Sequence, residues 1–425
     1  MHIEALYKIF LAHPSVQTDT RKLKAGDLFF ALKGDNFNGN LFAKQALEKG
    51  AAYAIVDEPI ETADARIILV DDTLTTLQQL AKYHRQQFSI PFLAITGSNG
   101  KTTTKELIHA VLSTTFKTYT TEGNLNNHIG IPLTLLKVKK DAQIAVVEMG
   151  ANHQKEIEGY CKYALPTYGL INNVGKAHLE GFGGIEGVKK GKGELYDFIR
   201  ASGGAIFINT DFDYLEEMSV GITNKITYGT NHAAVTGVLV KSEPFLEVEL
   251  TNQPELGIIK THLVGDYNLP NVLAAVCVGL HFGVSPAVIK SAVEHYQPTN
   301  SRSQLIEKDT NKIILDAYNA NPSSMKLAIE NFAKLQADKK VLMLGGMAEM
   351  GEASLAEHQA IIDLIDHFNW YKVVLVGGDF GKINHPHIYF NSSLEAKEWY
   401  KMQSFTHTHL LIKGSRSMKM EEILA

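Results

Sequence analysis

Cysteine is nearly absent: Cys161 and Cys277 are the only two in 425 residues. Their spacing matches neither a metal site nor a disulfide framework, which excludes a stapled scaffold and suits a reducing, cytoplasmic compartment. A basic surplus is missing too. Lys and Arg number 41 against 46 Asp and Glu, a net charge of -5, which argues against coating nucleic acid. Local lysines can still serve small anionic substrates. Long apolar runs are lacking: the longest, near residues 272–280, falls short of the roughly 20 residues a bilayer requires. The opening Met1-His2-Ile3-Glu4-Ala5-Leu6 has no basic region and no long apolar run, so no signal peptide is expected. Internal repeats and low-complexity tracts are absent as well.

What is present describes an ordinary folded chain. Hydrophobic residues make up 45% and charged residues 20%, enough for large cores, and the length suits two or three domains of roughly 100–200 residues each. Strand and helix patterns alternate, predicting an α/β protein. Residues 1–89 read as a small α/β unit, with strands over 27–32 and 52–56 and helices over 41–49 and 73–87. Residues 90–297 carry strands over 92–95, 144–147, 169–172 and 205–208, with helices between them including 185–200. That alternation implies a mostly parallel sheet. From 225 to 264 the period drops to two, predicting an antiparallel addition, and helices follow over 268–282 and 286–296. Pro298-Thr299-Asn300-Ser301 reads as a linker. Residues 298–425 restart the alternation, with strands over 312–316, 341–344, 373–376 and 409–412 and helices over 323–335, 355–368 and 417–424.

The most telling stretch is Thr96-Gly97-Ser98-Asn99-Gly100-Lys101-Thr102-Thr103. It follows the apolar run Phe92-Leu93-Ala94-Ile95 and opens a helical pattern over 102–114. Strand, glycine turn, Lys-Thr and helix together cradle nucleotide phosphates. Backbone N–H groups point at the anion, Lys101 adds positive charge, and the Thr102 hydroxyl can ligand Mg2+. The commoner form G-x-x-x-x-G-K-[ST] needs glycine at position 95, where Ile95 stands. The plain alternative is a strand-to-helix turn that uses glycine for positive φ.

Other residues offer chemistry beside a bland reading. Glu148 ends the strand Ala145-Val146-Val147, where a carboxylate can hold Mg2+ near a phosphate loop; a surface glutamate is the alternative. His178, in Asn172-Asn173-Val174-Gly175-Lys176-Ala177-His178, is a second metal ligand or a loop histidine. Lys192 sits in Lys189-Lys190-Gly191-Lys192-Gly193-Glu194, on a helix whose glycines each cost roughly 0.5–1 kcal/mol relative to alanine. Close approach of another group would explain them; a solvated lysine face is the alternative. The amide-rich Thr121-Glu122-Gly123-Asn124-Leu125-Asn126-Asn127-His128-Ile129-Gly130-Ile131-Pro132 suits a polar substrate or a turn. Asp316-Ala317-Tyr318-Asn319-Ala320-Asn321-Pro322 contacts a nucleotide or caps a helix. Lys413-Gly414-Ser415-Arg416-Ser417 sets two cations at a strand end, which suits an anion.

Together these segments resemble the Mur ligase family over nearly the whole chain. Thr18-Asp19-Thr20-Arg21 and Gly26-Asp27-Leu28-Phe29-Phe30-Ala31-Leu32-Lys33-Gly34 resemble its amino-terminal UDP-sugar domain. Residues 96–103 are similar to the family's short phosphate loop, which accounts for Ile95. Residues 124–132, Glu148-Met149-Gly150-Ala151, residues 173–182 and Lys192-Gly193-Glu194-Leu195-Tyr196 resemble its central domain. Tyr318-Asn319-Ala320-Asn321-Pro322 and Lys413-Gly414-Ser415-Arg416-Ser417 resemble the carboxyl-terminal domain of the type that adds a dipeptide.

The resemblance implies three domains: a UDP-sugar-binding domain over 1–89, a central ATP-binding P-loop domain with a parallel sheet over 90–297, and a Rossmann-like ligase domain over 298–425. It implies that ATP phosphorylates the terminal carboxylate of a UDP-N-acetylmuramoyl tripeptide. The amine of D-alanyl-D-alanine then attacks the acyl phosphate, a cytoplasmic step of peptidoglycan synthesis. By the same resemblance Lys101, Glu148, His178 and Lys192 are catalytic. Gly97, Ser98, Asn99, Gly100, Lys101, Thr102, Thr103, Asn268, Asn271, Arg302 and Asp316 would bind ATP. Thr20, Arg21, Asn126, Asn127, Tyr318, Asn319, Lys413, Ser415 and Arg416 would bind the two substrates. Thr102, Glu148, His178 and Lys192 would ligand Mg2+, with Lys192 carbamylated by CO2. The partners implied are small molecules alone, without nucleic acid or membrane insertion, and the protein is expected to be a monomer. An ATP site between domains implies hinge closure.

Two departures stand out. Leu315 replaces the first of the family's two adjacent aspartates, and Gly346, in Gly345-Gly346-Met347-Ala348-Glu349-Met350-Gly351, replaces another. Two further readings remain open: a sister ligase adding one amino acid to a muramoyl peptide or glutamates to folate, and a P-loop ATPase or binding protein without ligase chemistry.

Overall fold

In the computed structural model, which describes residues 2–61, 63–298 and 302–425, three large sheets follow one another along the chain, besides a two-stranded ribbon at Lys33–Gly34 and Phe37–Asn38. The first is four-stranded and parallel, in the order Val16–Gln17, Leu28–Phe30, Tyr53–Val56, Ile67–Leu69. Every residue of Leu28–Phe30 is buried, as expected for a parallel strand covered on both faces. A helix at Ile3–Ala12 and the two short outer strands add to the expected elements. The helix expected over 41–49 is α-helical only at Ala43–Glu48. It is preceded by a 3-10 turn at Gly39–Phe42, because the Asn38 side chain accepts from the Asn40 N–H and tightens the entry.

The second sheet has nine strands, in the order Ile258–Lys260, Glu247–Leu250, Val235–Lys241, Asn224–Gly229, Ala205–Asn209, Tyr168–Ile171, Phe92–Thr96, Ile144–Glu148, Thr118–Thr120. The antiparallel pairings among the described residues of this sheet are those of Glu247–Leu250, with Val235–Lys241 on one side and Ile258–Lys260 on the other. This corrects the expectation for 225–264: Asn224–Gly229 extends the parallel sheet beside Ala205–Asn209. A period of two marks a half-buried strand and is blind to its direction. After Phe92–Thr96 the chain crosses first to one side and later to the other. The carboxyl ends of this strand, Ile144–Glu148 and Tyr168–Ile171 therefore open a crevice at the switch point, where α/β sheets bind ligands.

The third sheet orders Gln304–Lys308, Asn311–Asp316, His409–Lys413, Lys340–Gly345, Lys372–Val376, Ile388–Phe390, parallel except at its first strand. The helix expected over 417–424 is instead two 3-10 turns, Arg416–Met418 and Met420–Leu424. They are divided at Lys419, whose φ of +49° leaves the helical region. The expected linker ends outside the described residues, at 299–301. Among the described residues no helix is long and apolar enough to cross a membrane.

The first unit is fastened to the second. Helix Thr73–Arg85 packs against Gly130–Leu136 and Glu156–Ala164, and one apolar cluster runs across the join. Arg85, nearly buried, donates from Nε to the Ala164 carbonyl at 3.1 Å, from Nη2 to Leu165 at 2.9 Å and from Nη1 to Phe88 at 2.8 Å. Its guanidinium carbon lies 3.7 Å from the Phe92 ring centroid. Two of those carbonyls end a helix, where the macrodipole favours a cation, while burial lowers the guanidinium to about 10. Arg85→Met keeps the length and removes the donors. It should cost about 2–4 kcal/mol through unmade hydrogen bonds, read as a lower urea midpoint for the first unfolding transition.

Candidate functional site

The glycine loop joins strand Phe92–Thr96 to helix Lys101–Leu112. Gly100 has a φ of +79°, and a Cβ there would lie 2.7 Å from Asn271 Oδ1, so only glycine fits. Beneath the loop is a buried amide network. Asn172 Nδ2 donates to Thr104 Oγ1 at 2.6 Å and to Asn271 Oδ1 at 3.1 Å. Asn271 Nδ2 donates to Asn268 Oδ1 at 2.8 Å, and Asn268 Nδ2 to the Val264 carbonyl. Asn268 and Asn271, expected beside a nucleotide, thus brace the loop from below. Asn173 holds it from the side, accepting the Asn99 N–H at 2.9 Å. Neither Asn172 nor Asn173 was singled out from the sequence. The rule that selected Glu148, a polar residue just past an apolar strand, would have found both.

Glu148 is 1% exposed. Its Oε1 accepts from Thr102 Oγ1 at 3.1 Å and Asn126 Nδ2 at 2.7 Å, and its N–H donates to Thr121 Oγ1 at 3.0 Å. Its Oε2 is buried with no hydrogen-bond partner among the described residues. The surface reading is therefore excluded. Asn127 acts at the next helix, where its Oδ1 accepts from the Ile129 and Gly130 N–H groups at the start of Gly130–Leu136. Lys101 folds back, its Nζ donating to the Gly97 carbonyl at 2.6 Å and the Ser98 carbonyl at 3.2 Å. The lysine stem is partly exposed, yet burial of the ammonium, aided by repulsion from Arg302, lowers it to about 8 despite attraction to Glu148.

Lys192 is fully buried. Its Nζ donates to the Ala151 carbonyl at 3.1 Å and lies 5.0 Å from the Phe182 ring centroid. The helix glycine finds its reason here, since a Cβ on Gly191 would meet the Phe182 ring at 2.4 Å. Burial, with repulsion from Lys101, drives the Lys192 ammonium well below the ordinary lysine range, against attraction from Glu156 and Glu194. His178, with a φ of +53°, pairs through Nδ1 with Glu349 Oε2 of the third unit. That hydrogen bond holds the Glu349 carboxyl below its usual range. His178 is thus engaged by Glu349 and not by Glu148 or Lys192. Among the described residues no group of three or more His, Cys, Asp or Glu is arranged to hold a metal ion.

The third unit faces this crevice. Asp316 Oδ2 accepts from Lys413 Nζ at 2.5 Å, and Asp316 Oδ1 from the Ser303 N–H at 3.2 Å. The Lys413 ammonium also reaches the Asn319 carbonyl at 3.3 Å. Tyr318 is flanked by two guanidiniums, Arg302 at 3.5 Å and Arg416 at 5.9 Å from its ring centroid. Ser415 is buried, its Oγ donating to the Gly346 carbonyl at 2.7 Å. In the first unit Arg21 is largely exposed and forks onto Asp19, while the Thr20 carbonyl accepts from Lys49 Nζ. The structure therefore gathers Lys101, Thr102, Asn126 and Glu148 at one point, with Lys192 close enough to feel Lys101. It turns His178 to the third unit and leaves Thr20 and Arg21 in the first.

Three family models match the chain in turn. The Mur ligase family, catalytic domain matches residues 14–85, the Mur ligase middle domain matches 95–279, and the Mur ligase, glutamate ligase domain matches 301–403. The chain is 36% identical over 425 residues to a UDP-N-acetylmuramoyl-tripeptide–D-alanyl-D-alanine ligase of Bacillus subtilis, covering 96% of this chain and 92% of that protein. It is 35% identical to the enzyme so named in Escherichia coli, with the same coverage. Among solved structures, MurF from Acinetobacter baumannii superposes with a TM-score of 0.86 at 32% identity, covering 96% of this chain and 92% of that one. MurF from Thermotoga maritima, in complex with ADP, gives 0.86 at 26% identity and 97% coverage of both.

The lowered Lys101 ammonium makes a testable statement. Near pH 8.5 much of this lysine is neutral in the ligand-free protein, and a triphosphate beside it favours the charged form. Nucleotide binding at about pH 8.5 should therefore take up a proton, and near pH 6.5 this group should contribute none. Titration calorimetry in buffers of different ionisation enthalpy reads the uptake. Lys101→Met should abolish it; uptake that survives the substitution would separate Lys101 from the phosphates.

Proposed function

The chain belongs to the Mur ligase family, and on that premise we propose that it joins D-alanyl-D-alanine to UDP-N-acetylmuramoyl-tripeptide, driven by ATP, in peptidoglycan precursor synthesis. The observation that carries this reading is the buried Glu148 carboxylate, with one oxygen against Thr102 and the other unpartnered among the described residues, at the mouth of the glycine loop. A carboxylate and a hydroxyl are a hard oxygen donor set of the kind Mg2+ takes. Bound there, the ion would neutralise part of the triphosphate's charge. The reaction requires this, because a substrate carboxylate must meet a triphosphate in line, and two anions repel.

The chain's own residues supply the rest. Loop N–H groups and Lys101 hold the phosphates, Lys101 exchanging the Gly97 and Ser98 carbonyls for phosphate oxygens. With the ATP terminus fixed, the tripeptide carboxylate attacks the γ-phosphorus and ADP leaves. The dipeptide amine then attacks the acyl carbon, loses a proton, and phosphate departs. Burial and the nearby Lys101 charge push the Lys192 ammonium well below the ordinary lysine range, which favours the neutral amine, the form that adds CO2. Its nitrogen bonds the carbon, one proton leaves, and a carbamate stands where an ammonium would repel a metal ion. His178 joins this group by releasing Glu349. Arg302, Asp316, Tyr318, Asn319, Lys413, Ser415 and Arg416 belong to residues 298–425, the unit that closes on nucleotide and dipeptide. Asn268 and Asn271 hold the adenine side of the loop. Thr20 and Arg21 belong to residues 1–89, the unit for the UDP-sugar. The enzyme works as a monomer in the cytoplasm.

Phosphate release from ATP and Mg2+ should require both UDP-N-acetylmuramoyl-tripeptide and D-alanyl-D-alanine, with a product heavier by one dipeptide in the mass spectrum. Release indifferent to the dipeptide would favour a sister ligase or a simple ATPase. Lys192→Ala should lose ligation by about a hundredfold or more, the order seen when a group stabilising transition-state charge is removed, and recover part of it with added short carboxylates. Full activity without an additive would take Lys192 out of the mechanism.

A further inference from the structure

Asn321 makes two contacts that serve different parts of the molecule. Its Oδ1 accepts from the Ser324 N–H at 2.9 Å, and Ser324 Oγ accepts from the Asn321 N–H at 3.1 Å, a reciprocal cap on helix Pro322–Lys334. Its Nδ2 donates to Asn99 Oδ1 at 2.8 Å, on the glycine loop 222 positions away. The neighbouring Ser323 Oγ accepts from the Lys176 N–H at 3.0 Å and sits where a Cβ on Gly175 would come within 2.9 Å. Gly175 is bonded in both directions to Ser98 Oγ. One helical turn of the third unit therefore touches the phosphate loop at Asn99 and its support at Gly175 and Lys176.

Capping requires only the Asn321 oxygen. The amide nitrogen plays no part in the cap, the side chain is 7% exposed, and a buried donor left unmade is costly. The contact with Asn99 is what satisfies it. Asn99 is also tied through its main-chain N–H and carbonyl to Asn173, while its side chain meets the third unit at Asn321. We propose that the Asn321–Asn99 contact is the latch through which docking of the third unit fixes the phosphate loop, making Asn321 a positioning residue for the ATP-dependent step. The proposal rests on the reading of this loop as the ATP site.

Asn321→Ser tests it, because serine caps helices about as well as asparagine but cannot reach Asn99. The melting temperature should hold, KM for ATP should change less than about twofold, and kcat should fall about three- to tenfold, the worth of one neutral hydrogen bond. Asn99→Ala removes the other end of the contact, and the double variant should be no slower than the slower single. Small-angle scattering with ADP bound should give a larger radius of gyration for Asn321→Ser than for the parent. A variant with unchanged kcat and radius, or losses that multiply in the double variant, would overturn the latch. If the parent protein does not ligate, the ligase reading fails while the scattering comparison still decides the latch. If Asn321→Ser loses its fold, Asn99→Ala carries the same scattering test from the loop side.

Discussion

A carboxylate taken out of water with only part of its hydrogen bonding met is the constraint on which the crevice depends. Burying a charge is expensive unless it is paired or bonded, and Glu148 is buried at the end of a strand that is itself wholly buried. Thr102, from the helix after the glycine loop, and Asn126, from the segment after Thr118–Thr120, donate to it and offset that cost, while Thr121 Oγ1 accepts from the Glu148 main-chain N–H. The Gly150 N–H donates to the Asn126 carbonyl, which pins the incoming segment across the strand end. Asn127 then starts the next helix directly afterwards. The second carboxylate oxygen has no donor among the described residues, so the hydrogen bonding of this buried carboxylate is met on one oxygen and unmet on the other.

The charges nearby carry the same imbalance. Lys101 and Lys192 are both buried enough to lose part of their hold on a proton, and Lys101 adds to the cost of charging Lys192. Among the described residues neither forms an ion pair; each leans on main-chain carbonyls. Under the function proposed above, the triphosphate is the anion that would stabilise these two cations. Preorganised charge of this kind is costly for the fold and useful for the reaction, because it need not be assembled as the transition state forms.

The parts legible in the sequence are those with local signals. The glycine loop, the strand before it and Glu148 at the next strand end lie within short, strongly patterned runs, and the structure keeps them close to their expected limits. The two-residue strand at Val16–Gln17 was not legible because it is held only by its pairing with Leu28–Phe30. Strand direction was misjudged at Asn224–Gly229 because alternation reports burial alone. The amide network under the loop and the pairing of His178 with Glu349 join segments about a hundred residues or more apart, and no local pattern encodes such a meeting. Apart from the family resemblance, Lys192 was legible only as a lysine between two glycines. Its meaning came from Phe182, which packs where the glycine leaves room.

The two missing aspartates are explained by packing. Leu315 is 6% exposed and belongs to the apolar cluster with Met343, Ile412 and Met420, where an unpaired carboxylate would be buried among hydrocarbon. The neighbouring Asp316 projects the other way along the strand and meets the buried Lys413 ammonium, so that one carboxylate and one cation already balance. At Gly346 a side chain has no room, since its Cβ would lie 2.6 Å from the Gly378 Cα. What this position contributes is its carbonyl, which accepts from both the main chain and the hydroxyl of Ser415. That pair of bonds ties the Lys413-Gly414-Ser415-Arg416 turn to the loop bearing Glu349, and Glu349 reaches His178. The chain thus keeps a continuous path of main chain and hydrogen bonds from the third unit to the central crevice, through Ser415, Gly346, Glu349 and His178, while dispensing with two charges.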